Sequence, residues 1–145
     1  MFELQGSNLL LKIDDIYSYK DDVKLGVPNN GFFTLTVETK LYKGISKLEI
    51  DIKDLQLFFS DVIHLWTTLN KGEAIIKEPF GYNQYLQFKS NGGFFDITGE
   101  ICDVDGCSYK MTFFERLDQS YLNSFINQIK KFNYNDHLRW LLIKF

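Results

Sequence analysis

The sequence predicts an α+β fold: a single domain, 1–145, in which a twisted, mostly antiparallel β-sheet carries two amphipathic helices on its apolar face. A short C-terminal helix or strand closes it. Three observations predict this. The 145 residues include 14 Phe and 8 Tyr, types that favour pleated, half-buried surfaces. Apolar residues alternate with period two in several short stretches, then recur at three- and four-residue steps in two longer ones. The strand-like stretches come in runs joined by short turn-rich links, which implies antiparallel hairpins with segregated helices.

Leu9–Ile13 is a short apolar strand candidate. The polar stretch from Asp14 to Asn30 reads as a loop ending in VPNNG, where Pro28, Asn29, Asn30 and Gly31 are turn chemistry. In GFFTLTVETK, Phe33, Leu35 and Val37 alternate with Thr34, Thr36 and Glu38, a strand with one wet face. SKLEIDI repeats the pattern through Leu48, Ile50 and Ile52, and Gly44 is the expected break between the two strands. Leu55, Phe58, Phe59, Val62, Trp66 and Leu69 then mark one face of a helix over 53–70, with Asp51 or Asp54 as its cap and Gly72 as its stop. EAIIKE, QYLQFKS, GFFDITGEIC and SYKMTFFE are four more strands, linked by PFGYN, SNGG and DVDG. Asp118 opens a second helix, 118–131, whose apolar face is Tyr121, Leu122, Phe125, Ile126, Ile129 and Phe132. NDHLRWLLIKF has Leu138, Leu141, Leu142 and Phe145 at helical spacing and reads as a helix or a last strand.

A chain of this size removes roughly 68–70% of its unfolded surface from water, so its core needs no staples. The net charge of −3 argues against nucleic acid as the main partner, since phosphate binding needs a basic stripe. No stretch approaches the ~18 apolar residues of a membrane span. MFELQGSNLLLKIDD lacks the basic start and long apolar run of a signal peptide. With two cysteines, the expectation is a cytoplasmic protein with reduced thiols.

CDVDGC at Cys102–Cys107 is the stretch most like a chemical motif. A calcium loop counted from Asp103 puts Cys107 at position five, Ser108 at six and Phe114 at twelve, where oxygens, glycine and glutamate are needed. Zinc would need two further ligands, and His64 and His137 are far apart in sequence. The stretch reads as a hairpin turn, with Gly106 suited to positive φ and the two thiols facing each other. Ser60, Asp61 and His64 are neighbours on one helix and cannot align as a triad, which is assembled from separate elements. SNGG joins two strands, so it is not a phosphate loop. No catalytic, metal or cofactor role is filled, and the expectation is a non-enzyme without cofactors.

From Gly44 to Phe132 the order of features is familiar: KLEIDI, KDLQLFF, LNKGEA, GGFFDITGEI, YKMTFFE and then LDQSYL at Leu117–Leu122. That last hexapeptide resembles the Asp-Gln-Thr/Ser-Tyr-Leu that begins the final helix in the WapI family of bacterial immunity proteins. The resemblance implies a small cytoplasmic protein that binds and neutralises the C-terminal domain of a contact-delivered toxin. Such toxins often attack nucleic acid and tend to be basic, so an acidic inhibitor gains association rate from steering. On that logic the partner-binding residues are Asp21, Asp22, Asp103 and Asp105, with Tyr17 and Tyr19 as anchors. The rival reading is a small-molecule or carbohydrate-binding module whose aromatics around FGYNQY stack on the ligand. It requires a concave pocket with convergent polar groups.

Overall fold

The computed structural model describes residues 1–103 and 107–133. Eight strands form two four-stranded antiparallel sheets, each a meander in sequence order. Sheet A is β1 (Phe2–Gln5), β2 (Leu10–Ser18), β3 (Gly31–Glu38) and β4 (Lys43–Ile50). Sheet B is β5 (Gly72–Lys77), β6 (Tyr85–Ser90), β7 (Phe94–Cys102) and β8 (Lys110–Asp118). The helices are α1 (Lys20–Lys24), α2 (Ile52–Thr68) and α3 (Asn123–Asn133), with a 3-10 turn at Gln119–Leu122 leading into α3. The α+β class is as the sequence predicts, and the strands divide between two sheets.

The helices bind both sheets to one core. Phe58 and Phe59 are adjacent and therefore point about 100° apart on α2. Phe59 meets Phe2 of sheet A edge-on at 5.4 Å between centroids, and Phe58 meets Phe88 of sheet B edge-on at 5.6 Å. From α3, Phe125 stacks on Phe88 at 5.6 Å and Phe132 meets Phe2 at 4.8 Å. Phe33, Leu35 and Val37 face this core while Thr34, Thr36 and Glu38 face outward, as their alternation requires.

Of the local devices, one of the two caps the sequence offers for α2 is the one used, and several others differ. Asp51 caps α2, its carboxylate accepting from the Lys53 N–H at 3.0 Å. The helix stops on Leu69, in the left-handed region at φ 57°, while Gly72 opens β5. Gly44 lies inside β4; a Cβ there would stand 2.8 Å from Ile101 and 2.9 Å from the Met111 sulfur, so it marks where the two sheets pinch together. The actual β3–β4 turn closes through Thr39, whose N–H donates to the Tyr42 carbonyl at 2.7 Å. Asp118 ends β8 and caps the following turn by accepting from the Ser120 N–H at 2.8 Å. Tyr121, expected in the core, is exposed and its oxygen accepts from the Ser7 hydroxyl at 3.3 Å. The C-terminal helix or strand expected in NDHLRWLLIKF, 135–145, lies outside the described residues.

The outer edge of β4 explains why the strands split into two sheets. No strand pairs there among the described residues; side chains do the bonding instead. Glu78 accepts from the Glu49 N–H at 3.1 Å, and the Gln84 amide donates to the Lys47 carbonyl at 3.2 Å and to Glu78 at 3.1 Å. Gln84 Oε1 accepts from the Ser46 hydroxyl and, at 2.8 Å, from the Cys102 N–H of β7. Ser46, Glu78 and Gln84 are all buried, so these bonds are worth more than surface ones and each is costly to break. The edge of β1 is treated alike: the Gln128 amide accepts from the Glu3 N–H at 2.9 Å and donates to its carbonyl at 3.4 Å. Glu115 of β8 holds the β1–β2 turn, accepting from the Ser7 and Asn8 N–H groups at 2.8 and 2.9 Å.

On the outer face of sheet B, Arg116 and Asp96 face each other across β7 and β8 in a two-point ion pair of 2.7 and 3.1 Å. The guanidinium hydrogen bond holds the Asp96 carboxyl below the usual carboxylate range. A depressed folded pKa stabilises the fold above the unfolded value, about 3.9, and that contribution disappears as pH falls through the folded value. Asp96→Asn is therefore expected to lower the melting temperature at pH 7 and to flatten its fall below about pH 4; parallel wild-type and variant curves would refute it. Gln84→Leu strands the Cys102 N–H, the Ser46 hydroxyl and the Lys47 carbonyl. It is expected to cost about 2–4 kcal/mol, read as a lower urea midpoint at unchanged slope; a midpoint within error of wild type would refute it.

Candidate functional site

The site begins with a β-bulge. Asp14 pairs with Thr34 and Tyr17 with Phe32, so two residues of β2, Asp15 and Ile16, stand opposite one of β3. Asp15 absorbs the extra residue at φ 49°, a conformation Asp tolerates better than most residues. Strict alternation from the buried Ile13 would turn Tyr17 into the core. The bulge reverses the parity and puts Tyr17 on the solvent face beside Phe32.

Three aromatic rings gather there. Tyr17 stacks on Phe32 at 5.6 Å and 26° between planes, and meets Tyr19 edge-on at 5.1 Å. Tyr19 and Phe32 are 6.2 Å apart. Tyr17 is 53% and Tyr19 40% exposed, so the packing is among themselves rather than into the core. The Lys47 ammonium sits 4.2 Å above the Phe32 ring and 3.9 Å from the Glu49 carboxylate, a cation–π contact that fixes the edge of the cluster.

Beyond Lys47 the surface dips into a hollow of about 270 Å³ lined by Asn29, Lys47, Glu49, Glu78, Phe80 and Tyr82, among others. The loop that carries Phe80 and Tyr82 is pinned at both ends, because the Glu78 N–H donates to the Gln84 carbonyl at 2.9 Å and the Gln84 N–H to Glu78 at 3.2 Å. Gly81 at φ 84° and Asn83 at φ 60° make its turn. Phe80 and Tyr82 are exposed on its crest. The result is one aromatic face, Tyr17–Tyr19–Phe32 on one side of Lys47 and Phe80–Tyr82 on the other.

Tyr17 and Tyr19 are thus brought together. Asp21 and Asp22 follow immediately in the first turn of α1, which is anchored by the buried Val23. Lys20 and Lys24 occupy the same five residues, so the turn carries two charges of each sign. Asp103 is elsewhere, at the end of β7, where its carboxylate accepts from the Tyr109 N–H at 2.8 Å. Asp105 lies outside the described residues. Phe32 and Lys47 escape sequence reasoning, and Phe80 is read there only as one of the aromatics of FGYNQY: Phe32 reads as strand filler, and only the bulge shows which way the neighbouring ring turns.

Asp103 lines a second cleft, of about 450 Å³, between the start of β4 and the β7–β8 hairpin, with Tyr42, Ile45, Ile101, Tyr109 and Met111. Its size falls within the range of small-molecule sites, about 300–1,000 Å³. Cys102 lines it, and Cys102 and Cys107 are both free thiols. Cys102 is buried, and that burial, with the hydrogen bond its S–H donates to Cys107, pushes its thiol up to about 12. Cys107 has φ 55° and is half-buried. Among the described residues no three His, Cys, Asp or Glu side chains gather as a metal site, and no helix is long and apolar enough to cross a membrane. A thiol so far above neutral is not a nucleophile. Iodoacetamide at pH 8 is expected to leave Cys102 unmodified in the folded protein, read by peptide mass spectrometry, and to modify it in urea; rapid native labelling would refute its burial.

No protein-family model, curated protein or solved structure matches the chain.

Proposed function

We propose that the chain is an immunity-type protein that binds and occludes the C-terminal domain of a cognate bacterial toxin in the cytoplasm. The observation that carries this reading is the exposed aromatic face, Tyr17–Tyr19–Phe32 with Phe80–Tyr82. Tyrosine and phenylalanine presented on a rigid sheet bury large area at little conformational cost and make typical anchors of protein interfaces. The resemblance of LDQSYL to the WapI family supports it from a second direction. That hexapeptide itself works within the fold: Leu117 and Leu122 are buried and Asp118 is a cap.

The polar groups around the hollow favour a protein over a sugar. Glu78 and Gln84 spend their hydrogen bonds on β4, β7 and each other. Of the buried side-chain atoms among the described residues of the hollow, that leaves Asn29 Oδ1 without a partner, while Lys47 and Glu49 at its rim pair with each other at 3.9 Å. A saccharide site needs several convergent free groups. The larger cleft beside Ile45 and Met111 keeps small-molecule binding as the second reading.

The test is co-expression with the toxin domain encoded beside this chain, scoring survival and co-purification together. Survival with a stable complex is expected. Tyr17→Ala with Tyr19→Ala is expected to weaken the complex by about tenfold or more, chiefly through faster dissociation. Asp21→Lys with Asp22→Lys should slow association by less than about tenfold, because Lys20 and Lys24 already offset those charges. Death of the cells, or survival without a complex, overturns direct inhibition and moves the ligand-binding reading to first place. A complex indifferent to Tyr17 and Tyr19 removes this face from it.

A further inference from the structure

The edges of the two sheets are not treated alike. β1 is bonded by Gln128 and β4 by Glu78 and Gln84. β5 lies beside α2 and is only six residues long. β8 is the last strand of sheet B, nine residues long, and among the described residues no backbone or side-chain partner bonds its outer edge. Clefts of about 450 and 260 Å³ border it along Tyr109–Thr112 and Met111–Glu115. Tyr109 is 79% and Phe114 63% exposed. A long open edge carrying an exposed aromatic residue is a template for another strand.

We propose that this edge pairs with the β8 of a second copy, joining two B sheets into one eight-stranded antiparallel sheet. The argument is the self-complementarity of the strand. A two-fold axis perpendicular to the sheet brings two β8 strands together antiparallel, with paired side chains on the same face. Centred on Phe114, the register sets Phe114 against Phe114, Thr112 against Arg116 and Lys110 against Asp118 on the outer face. On the inner face it sets Met111 against Leu117, and Phe113 against Glu115, whose carboxylate is already held by Ser7 and Asn8. Every charged residue meets an opposite or neutral partner, and all nine residues of the strand take part. Moving the centre to Phe113 would face Lys110 with Arg116, which like-charge repulsion disfavours. Centring on Glu115 loses the Lys110–Asp118 pairs. Phe114 on the axis buries the most exposed apolar group of the strand twice. Tyr17, Tyr19 and Phe32 lie on sheet A, and Phe80 and Tyr82 on the β5–β6 loop at the other side of sheet B from β8, so this pairing leaves the aromatic face uncovered.

The test needs only the purified chain. Sedimentation velocity from about 1 to about 100 µM, a span that brackets micromolar affinity, is expected to show a monomer–dimer equilibrium. Phe114→Lys sets two ammonium groups face to face, and Lys110→Asp sets a new carboxylate against that of Asp118 twice per dimer. Each is expected to raise the dimer Kd by about tenfold or more, with an unchanged circular dichroism spectrum since both positions are exposed. Lys110→Asp combined with Asp118→Lys restores opposite charges and is expected to return the Kd to within about threefold of wild type. The double variant still lacks the Asp118 cap, so recovery cannot come from better folding. A monomer at every concentration overturns the proposal, as does a dimer that none of these substitutions weakens or that the double variant fails to restore.

Discussion

The structure depends on the amide of Gln84. A sheet whose edge is buried must satisfy the edge's backbone groups, and the choice lies between another strand and side chains that imitate one. At β4 the second solution is used. The Gln84 amide supplies a donor to the Lys47 carbonyl and an acceptor to the Cys102 N–H, while Glu78 takes the Glu49 N–H. One side chain thereby ends sheet A and ties it to sheet B. The same pair clamps the stem of the loop that lifts Phe80 and Tyr82 to the surface. The bonds that hold the domain together therefore also shape one half of the candidate binding face.

The other half rests on a small piece of backbone strain. Placing a non-glycine residue at positive φ costs on the order of 1 kcal/mol, and Asp15 sits there. What the fold gains is an outward Tyr17 stacked on Phe32, and what it incurs besides strain is an apolar patch in water. Neither is demanded by the core, since Ile13 and Phe33 already fill the inner face at that level. An extra residue that turns an aromatic ring away from the core is a device for presentation rather than for stability.

The legible parts of the fold are those fixed by local periodicity and capping. The alternation of Phe33, Leu35 and Val37, the helical spacing of Leu55, Phe58, Phe59 and Val62, and the caps Asp51 and Asp118 all follow from neighbours a few residues away. The parts that escape depend on partners far along the chain. Phe2–Gln5 is only four residues long and takes its edge partner from Gln128. Glu78 and Gln84 belong to types usually exposed, and nothing local reveals that they are buried against β4. Gly44 reads as a chain break because glycine often is one; its reason is the approach of Ile101 and Met111 from the other sheet. Within the candidate site, the exposed tyrosines can be read because they stand among polar residues. Their joining with Phe32, and the separation of Asp103 from Asp21 and Asp22, require the register.

The distribution of polar groups also says what kind of recognition the aromatic face can perform. Apart from Asn29 Oδ1, the buried side-chain donors and acceptors of the hollow's described residues are consumed by the fold, so orientation of a partner cannot come from a dense set of buried free hydrogen-bonding groups. The charges at its margin are mixed: Asp21, Asp22 and Glu49 stand with Lys20, Lys24 and Lys47. Such a rim produces little long-range field, and alternating charges act mainly at contact distance, where they reject a mismatched surface more than they attract a matched one. Affinity must then come from ring area desolvated against a complementary surface, and selectivity from the fit of that surface around Lys47 and the Phe80–Tyr82 crest. This favours a folded partner of defined shape over a flexible or highly charged one. It also makes the rigidity given by Gln84 and by the Asp15 bulge part of the binding chemistry, since an anchor that must be ordered on contact loses much of what it gains.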